Sequence, residues 1–515
     1  MHPHVQAWLC ATLAAMTMAL NGYDSSTFNS VQGFASFVAH FKKPQETAIE
    51  PNLLGAVNTA YTCGGIVTGF FLTPTLSKYL GRRLCIQIGC TVVVLSTFLQ
   101  TFAPNIASFI AGRLILGMGQ GIALPNGPVY IAEIAPANIR GMMMSFWQMW
   151  YAIGSFIVYW IVYGISKSST NLGDWQYRIP ILCQIVVPSI ITAGMFWCPE
   201  SPRWLVETGR VERARESLSR TRIPSDVEEE LGAIVAAVNF EKAVVDSSHK
   251  WWTPYLTLLK EPSLRRRALV ALFINAGQQV TGSTVLQSYT TLVYKSVFSD
   301  TNTIFLINAL YATFAIVFCL SCTWLVERLG RRSLLLIGAV GQGLAIMIVA
   351  IVGITQPVDA SGHRSYGVGV GIASLFFLFA FFYKPTWGAT VWVYTADIFS
   401  TDVRAHAISM SAQTQSVVNT ILNQFFPTFL ANCGFYTFFF FAGMNAILFV
   451  GTWFFVPETK GVPLEDIDSL FGATSHRIAG EALPDDKVQS AHGVTQAQLA
   501  GIHEEHTEKA EVEHV

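Results

Sequence analysis

Asp24, Arg113 and Lys384 are ionisable side chains that stand in or at the edge of apolar runs long enough to cross a bilayer. Charge at membrane depth is costly, so such groups pair, face a wet cavity, or serve the passage of protons and solutes. Asp24 follows the first apolar run, within Asn21-Gly22-Tyr23-Asp24-Ser25-Ser26. Loss of water favours the neutral form of a carboxyl group, and a nearby cation favours the charged form. A carboxyl balanced between the two takes a proton from one side and releases it on the other. The plainer reading is a carboxyl in a wet vestibule or at a helix break. Lys384 is open in three ways: a donor to neutral hydroxyls, a counter-charge for a carboxylate solute, or half of an ion pair with a neighbouring helix.

A second set of charged residues is written twice. Gly81-Arg82-Arg83 recurs as Gly330-Arg331-Arg332, Glu133 with Arg140 as Asp397 with Arg404, and Pro199-Glu200-Ser201 as Pro457-Glu458-Thr459. The offsets are 249, 264 and 258 residues. Single arginines at span ends are explained by snorkelling. Acid and base recurring seven residues apart in both halves point instead to a switchable network at one membrane face. Such a network is worth only a few kcal/mol, since a stronger one would hold the chain in one state.

The elements that position these residues are membrane helices. Of the 515 residues, 52% are hydrophobic and 13% charged, against about 25% charged in soluble domains. Mean hydropathy is +0.43. Twelve segments suit a span of roughly 20 residues, near 5–33, 53–76, 84–103, 106–131, 142–163, 179–198, 268–295, 303–326, 334–355, 367–394, 406–431 and 434–456. The duplication divides them into 1–198 and 268–457, joined by a polar loop 199–267 and followed by a polar tail 458–515. The first run lacks a charged leader and reads as a span, not a signal peptide. Inner loops including 199–267 hold 20 lysines and arginines against 6 outside, Lys295 at the outer end of the seventh span included, which places both termini in the cytosol. Apolar residues at helical spacing in Val211–Leu218 and Val227–Val238 predict short amphipathic helices. The composition of the tail is that of a disordered segment.

Several classes of function are excluded or disfavoured. A net charge of −1 offers nothing to nucleic acid. Cys319-x-x-Cys322 lies in a span without a second Cys/His pair and reads as packing, so no metal or cofactor is expected. No phosphate loop or nucleophile–base pattern points to an enzyme or an ATP-driven pump.

The chain resembles the sugar porters of the major facilitator superfamily, of fungal hexose or pentose type, over roughly residues 5–470. The first-half match is carried by Gly81-Arg82-Arg83, Arg113 with Gly117, Gly119 and Gly121, Pro128 to Gly141, Trp175 and Arg178, and Pro199 to Leu205. In the second half it is carried by Gln278-Gln279-x-x-Gly282, Glu327 to Arg332, Trp392 with Asp397 and Arg404, and Pro457 to Gly461. The resemblance implies an all-α membrane protein of twelve transmembrane helices in two six-helix pseudo-symmetric halves. It implies a monomer in the lipid bilayer, most simply the plasma membrane, moving a monosaccharide by alternating access with protons as the coupling ion. Uncoupled diffusion, a carrier of a sugar acid, polyol or disaccharide, and a non-transporting sensor are the alternatives.

The family pattern sets an acid and an arginine at the positions of Asp24 and Arg113, the proton-coupling pair. Its sugar-binding positions fall on Gln148, Gln278, Gln279 and Trp392, and Gln415 and Asn419 extend the polar set. A ring of hydroxyls suits such amides, which donate and accept, beside an aromatic wall. Thr284 stands where an asparagine is common, and Lys384 lies four residues before Gly388. The cytosolic gate comprises Arg82, Arg83, Glu133, Arg140, Glu200, Glu327, Arg331, Arg332, Asp397, Arg404 and Glu458. The family's acid three residues before Gly-Arg-Arg is Glu327 in the second half but Lys78 in the first, so the first-half network must be wired differently. The glycines of the fourth span, with Gly64, Gly65 and Gly69 of the second, suit close helix approach.

Overall fold

The computed structural model describes residues 3–43, 46, 48–136, 140–168, 172–245, 262–357, 364–399 and 401–460. The side chains of Arg140, Gln148, Glu327 and Arg404, and the tail 461–515, lie outside the described residues.

Among the described residues, twelve helical stretches run back and forth. In the first half they are α1 (Pro3–Val31), α2 (Pro51–Val67, a π-helical turn Thr68–Leu72, and Thr73–Leu80), α3 (Arg82–Thr101), α4 (Ile106–Ile134), α5 (Arg140–Ser168) and α6 (Trp175–Cys183 then Val186–Met195). In the second half they are α7 (Pro262–Val280 then Ser283–Lys295), α8 (Thr301–Leu329), α9 (Arg331–Thr355), α10 (Tyr366–Tyr383, a π-helical turn Lys384–Gly388, and Thr390–Asp397), α11 (Thr401–Cys433) and α12 (Thr437–Phe455). By length and composition alone, eight stretches among the described residues can cross a membrane, one of them taking in both α11 and α12. Between the halves lie the surface helices Pro202–Glu207, Val211–Thr221 and Val227–Val245, where amphipathic spacing predicts two of them. They pack through Trp204, Leu205, Leu218, Val227 and Leu231. Arg222 ties them to the bundle by donating to the Ile134 carbonyl at 2.8 Å.

The glycine face of α4 does what small residues allow. A methyl on Gly117 would run into the Tyr61 backbone of α2, and one on Gly119 would lie 2.8 Å from the Gly89 carbonyl of α3. Two helices therefore approach α4 to backbone contact.

The apolar interior is divided unequally. One large aromatic cluster draws on both halves, including Phe28, Phe37 and Phe109 from the first and Tyr289, Phe305 and Phe376 from the second. At the opposite end are two separate cores. One, around Ile86, Tyr130 and Ile191, belongs to the first half, and the other, around Ile274, Trp387 and Tyr394, belongs to the second. The halves are therefore packed together at one end of the bundle and stand apart at the end carrying the Gly-Arg-Arg motifs.

Hydrogen bonds between the halves follow the same division. Asn29 Oδ1 accepts from the Thr291 backbone N–H at 3.0 Å, and Lys295 donates to the Gln32 carbonyl at 2.8 Å. Thr428 donates to Asn52 Oδ1 and Thr420 to Thr62, both at 2.8 Å. Gly55 makes this contact possible, because a Cβ there would stand 2.5 Å from the Gln424 carbonyl oxygen, a backbone atom. A Gly55→Ala variant is expected to loosen this end. The measurement is maleimide labelling of a cysteine placed at Asn52, which should speed up about threefold over the same cysteine in the parent.

Candidate functional site

Asp24 is fully buried in α1. Its carboxylate accepts from two amides: Gln120 Nε2 of α4 at 2.5 Å and Gln184 Nε2 of α6. Arg113, also buried, meets Asp24 through its backbone instead. One guanidinium nitrogen donates to the Asp24 carbonyl at 3.1 Å and the other to Asn58 Oδ1 at 3.3 Å. The guanidinium carbon lies 5.5 Å from the Phe28 ring centre and 5.0 Å from that of Tyr61. The acid–arginine pair read from the sequence is therefore a backbone contact in this conformation. The partners of the carboxylate are two glutamines that the sequence reading passed over. The available signal was their type: amides in otherwise apolar spans, as Gln278 and Gln279 are.

The second-half polar set is held by two helix breaks. In α7 the chain turns at Thr281-Gly282, with Gly282 at φ +99° in the left-handed region that suits a residue without Cβ. In α10 the π-helical turn Lys384–Gly388 disturbs the helical hydrogen-bond ladder. A span needs such carbonyls satisfied by neighbours. Gln278 does this, donating to the carbonyls of Trp387 at 2.8 Å and Gly388 at 3.0 Å. Its own oxygen accepts from Gln279 at 3.3 Å, and the Gln279 oxygen accepts from Thr284. Three expected site residues thus form one chain of hydrogen bonds anchored on the α10 break. Tyr383 lies beside Ser283 and Gln278.

Gln415 joins the set from α11, donating to Asn275 Oδ1 at 2.6 Å, while Asn275 donates to Thr395 at 2.8 Å. Asn419 is occupied inside its own helix, accepting from Asn423. Trp392 lies four residues beyond Gly388 and is partly exposed. The halves meet in the middle through Tyr151, whose hydroxyl is 2.8 Å from Ser25 and accepts from Gln287. The sequence reading named neither Tyr151 nor Gln287. Gln148, three residues before Tyr151, lies outside the described side chains.

The duplicated rim motifs resolve into one device built twice. Gly81 has φ +87° and Gly330 φ +84°. Each places the first N–H groups of the next helix against a carboxylate. Glu200 accepts from the backbone of Arg82 at 3.1 Å and Arg83 at 3.0 Å, and Glu458 accepts from Arg331 at 2.9 Å and Arg332 at 3.0 Å. Negative charge at a helix N-terminus is favourable. The arginine side chains then reach the second acid, Arg82 to Glu133 at 3.0 Å and Arg331 to Asp397 at 3.1 Å. Arg83 donates to the Cys198 carbonyl at 2.9 Å and Arg332 to that of Trp453 at 2.7 Å. Every one of these contacts stays within one half. Where Lys78 stands in place of an acid, its carbonyl accepts from Trp204 Nε1 at 2.8 Å, and Glu207 supplies a carboxylate 3.5 Å from Arg82.

Two halves of six helices, joined at one end and parted at the other around a central polar set, define a secondary carrier of the major facilitator fold. The model of the family described as sugar (and other) transporter matches residues 10–471. The chain belongs to that family. It is 30% identical over 495 residues to the quinate permease of Neurospora africana, covering 93% of this chain and 91% of that protein. It is 28% identical to a probable quinate permease of Aspergillus fumigatus, covering 99% and 95%. Its fold matches the inward open conformation of the xylose transporter XylE from E. coli with a TM-score of 0.74 at 22% identity, covering 89% of this chain and 98% of that one. These relatives are carriers, and the protein is not an enzyme.

Proposed function

We propose that this protein carries a small polyhydroxylated ring, a monosaccharide or a close relative of one, across the plasma membrane together with protons. It works as a monomer with both termini in the cytosol. The observation that carries this reading is the meeting of polar groups from both halves where the joined end gives way to the parted end. Ser25 and Tyr151 come from one half, and Gln278, Gln279, Thr284 and Gln287 from the other. Hydroxyls and amides of this kind exchange hydrogen bonds with a ring of hydroxyls, and Trp392 supplies an aromatic face. Asp24 carries the proton, and its glutamine clasp lets it do so inside the bundle. The rim charges form the inner gate, paired within each half while that end is open. The names of the fungal relatives extend the candidate solutes to hydroxylated ring acids such as quinate.

The test is uptake of radiolabelled glucose, xylose, glucuronate and quinate in a transporter-null cell, with and without a protonophore. Concentrative uptake of at least one solute, abolished by the protonophore, is the expected result. Gln278→Ala should reduce uptake by tenfold or more, because it frees two carbonyls at the α10 break and unties Gln279, a loss of about 1.4 kcal/mol or more in the transport-competent geometry. Uptake unchanged in that variant would remove the α7–α10 junction from the site.

A further inference from the structure

We infer that Lys384 is the counter-charge for an anionic substrate, so that the preferred solute is a hydroxylated ring bearing a carboxylate. The inference rests on the carrier reading above and goes further by fixing the charge of the cargo.

Lys384 opens the π-helical turn of α10. Three and four residues on are the carbonyls of Trp387 and Gly388 that Gln278 clasps, so the lysine stands within a turn of the hydrogen-bonded amides. Its ammonium nitrogen is 6.0 Å from the centre of the Tyr383 ring, and it interacts electrostatically with Cys319 of α8. No described residue forms an ion pair or hydrogen bond with that nitrogen.

The sequence extends this statement to the whole half. From 262 to 457 the acidic residues are Asp300, Glu327, Asp359, Asp397 and Asp402; Asp359, 25 residues before Lys384 in the chain, lies outside the described residues, and the other four stand at or within a turn of helix ends. Asp397 is 13 residues further along the chain, about 20 Å at helical rise. Glu327 lies eight residues from Cys319 along α8, about 12 Å by the same measure. The one acid at depth in the other half, Asp24, has both carboxylate oxygens engaged by glutamines. An ion pair with a neighbouring helix therefore does not account for Lys384.

Two of its three readings remain, and charge decides between them. Hydroxyls of a neutral ring accept hydrogen bonds from an ammonium but leave its charge uncompensated at membrane depth. A carboxylate supplies both acceptor and countercharge, and such charge-assisted bonds are roughly twice as strong. The glutamines and tyrosines nearby then read the hydroxyls of the same ring.

The experiment compares glucuronate with glucose, which differ at one carbon, alongside quinate and xylose, in cells expressing the parent, Lys384→Gln and Lys384→Arg. The parent should favour an acid. Lys384→Gln should raise the KM for that acid about tenfold or more while changing the KM for a neutral ring less than about threefold, and Lys384→Arg should restore the acid. Thermal stabilisation of the purified protein by the same acid, lost in Lys384→Gln, gives a readout independent of transport. An equal loss for acids and neutral rings, or a parent that carries glucose or xylose and neither acid, would overturn the inference while leaving the carrier standing. A parent that moves none of the four would overturn both.

Discussion

Asp24→Asn is expected to abolish accumulation while leaving exchange of solute down its gradient. Under a two-unit pH gradient, one proton per solute drives about hundredfold accumulation, and the variant should fall to equilibration. The expectation follows from how the carboxylate is held. Gln120 and Gln184 each spend their amide N–H on it, and the oxygens of both are buried without a described partner. Either amide, turned over, offers an acceptor to a protonated carboxyl, so the clasp accommodates both states. An asparagine resembles the protonated state in shape and donor pattern, and the two spare oxygens can receive its N–H groups. The variant should therefore fold and bind, yet it has no proton to release. Uptake by the parent should fall as external pH rises from 5 to 8, because the proton supply falls, and the variant should show no such slope. Concentrative uptake retained in Asp24→Asn would remove the carboxyl from the coupling step.

The second large effect belongs to the rim. Glu200→Gln keeps the shape of the side chain but removes the charge facing the N-terminus of α3. Hydrogen bonds to a charged group contribute about 1.5–3 kcal/mol each, and Glu200 accepts from the N–H groups of Arg82, Arg83 and Ser201. A loss of about 3 kcal/mol or more is expected, read as lower thermal stability in detergent and reduced surface expression. Gly81→Ala should act on the same contact, since its Cβ would lie 2.7 Å from the carboxylate and its φ of +87° suits glycine. The double variant should lose less than the sum of the two, because both remove one interaction. Additive losses would show that the carboxylate and the glycine act separately. Glu458 and Gly330 should repeat the pattern.

The sequence made the architecture legible because its signals are coarse and redundant. Twelve apolar runs, a duplicated set of charges and glycines at helix contacts each point to the same paired bundle, and the helices fall near the anticipated positions. The breaks in α7 and α10 were not visible. Gly282 marked one only by its type, and no pattern distinguishes the π turn at Lys384–Gly388 from continuous helix. The site was legible by residue type and not by partner. Gln278, Gln279 and Thr284 do come together, yet what joins them to α10 is a pair of main-chain carbonyls, which no side-chain pattern encodes. Gln120, Gln184, Tyr151 and Gln287 escaped notice because a lone polar residue in a span reads equally well as packing. The rim acids were recognised as partners of arginine, while the larger share of the work of Glu200 and Glu458, capping the next helix through its N–H groups, depended on a backbone turn that only coordinates reveal.

The end at which the halves meet is closed by hydroxyls, amides, carbonyls and aromatic rings. Among the described residues no ion pair crosses it, and Lys295, which reaches across from the second half, rests on the Gln32 carbonyl. Dissolved salt weakens attraction between opposite charges but has little hold on contacts of this kind. The molecule should therefore rest the same way in fresh water and in brine. Salinity would bear on how often a charged solute reaches its mouth, not on which mouth stands open.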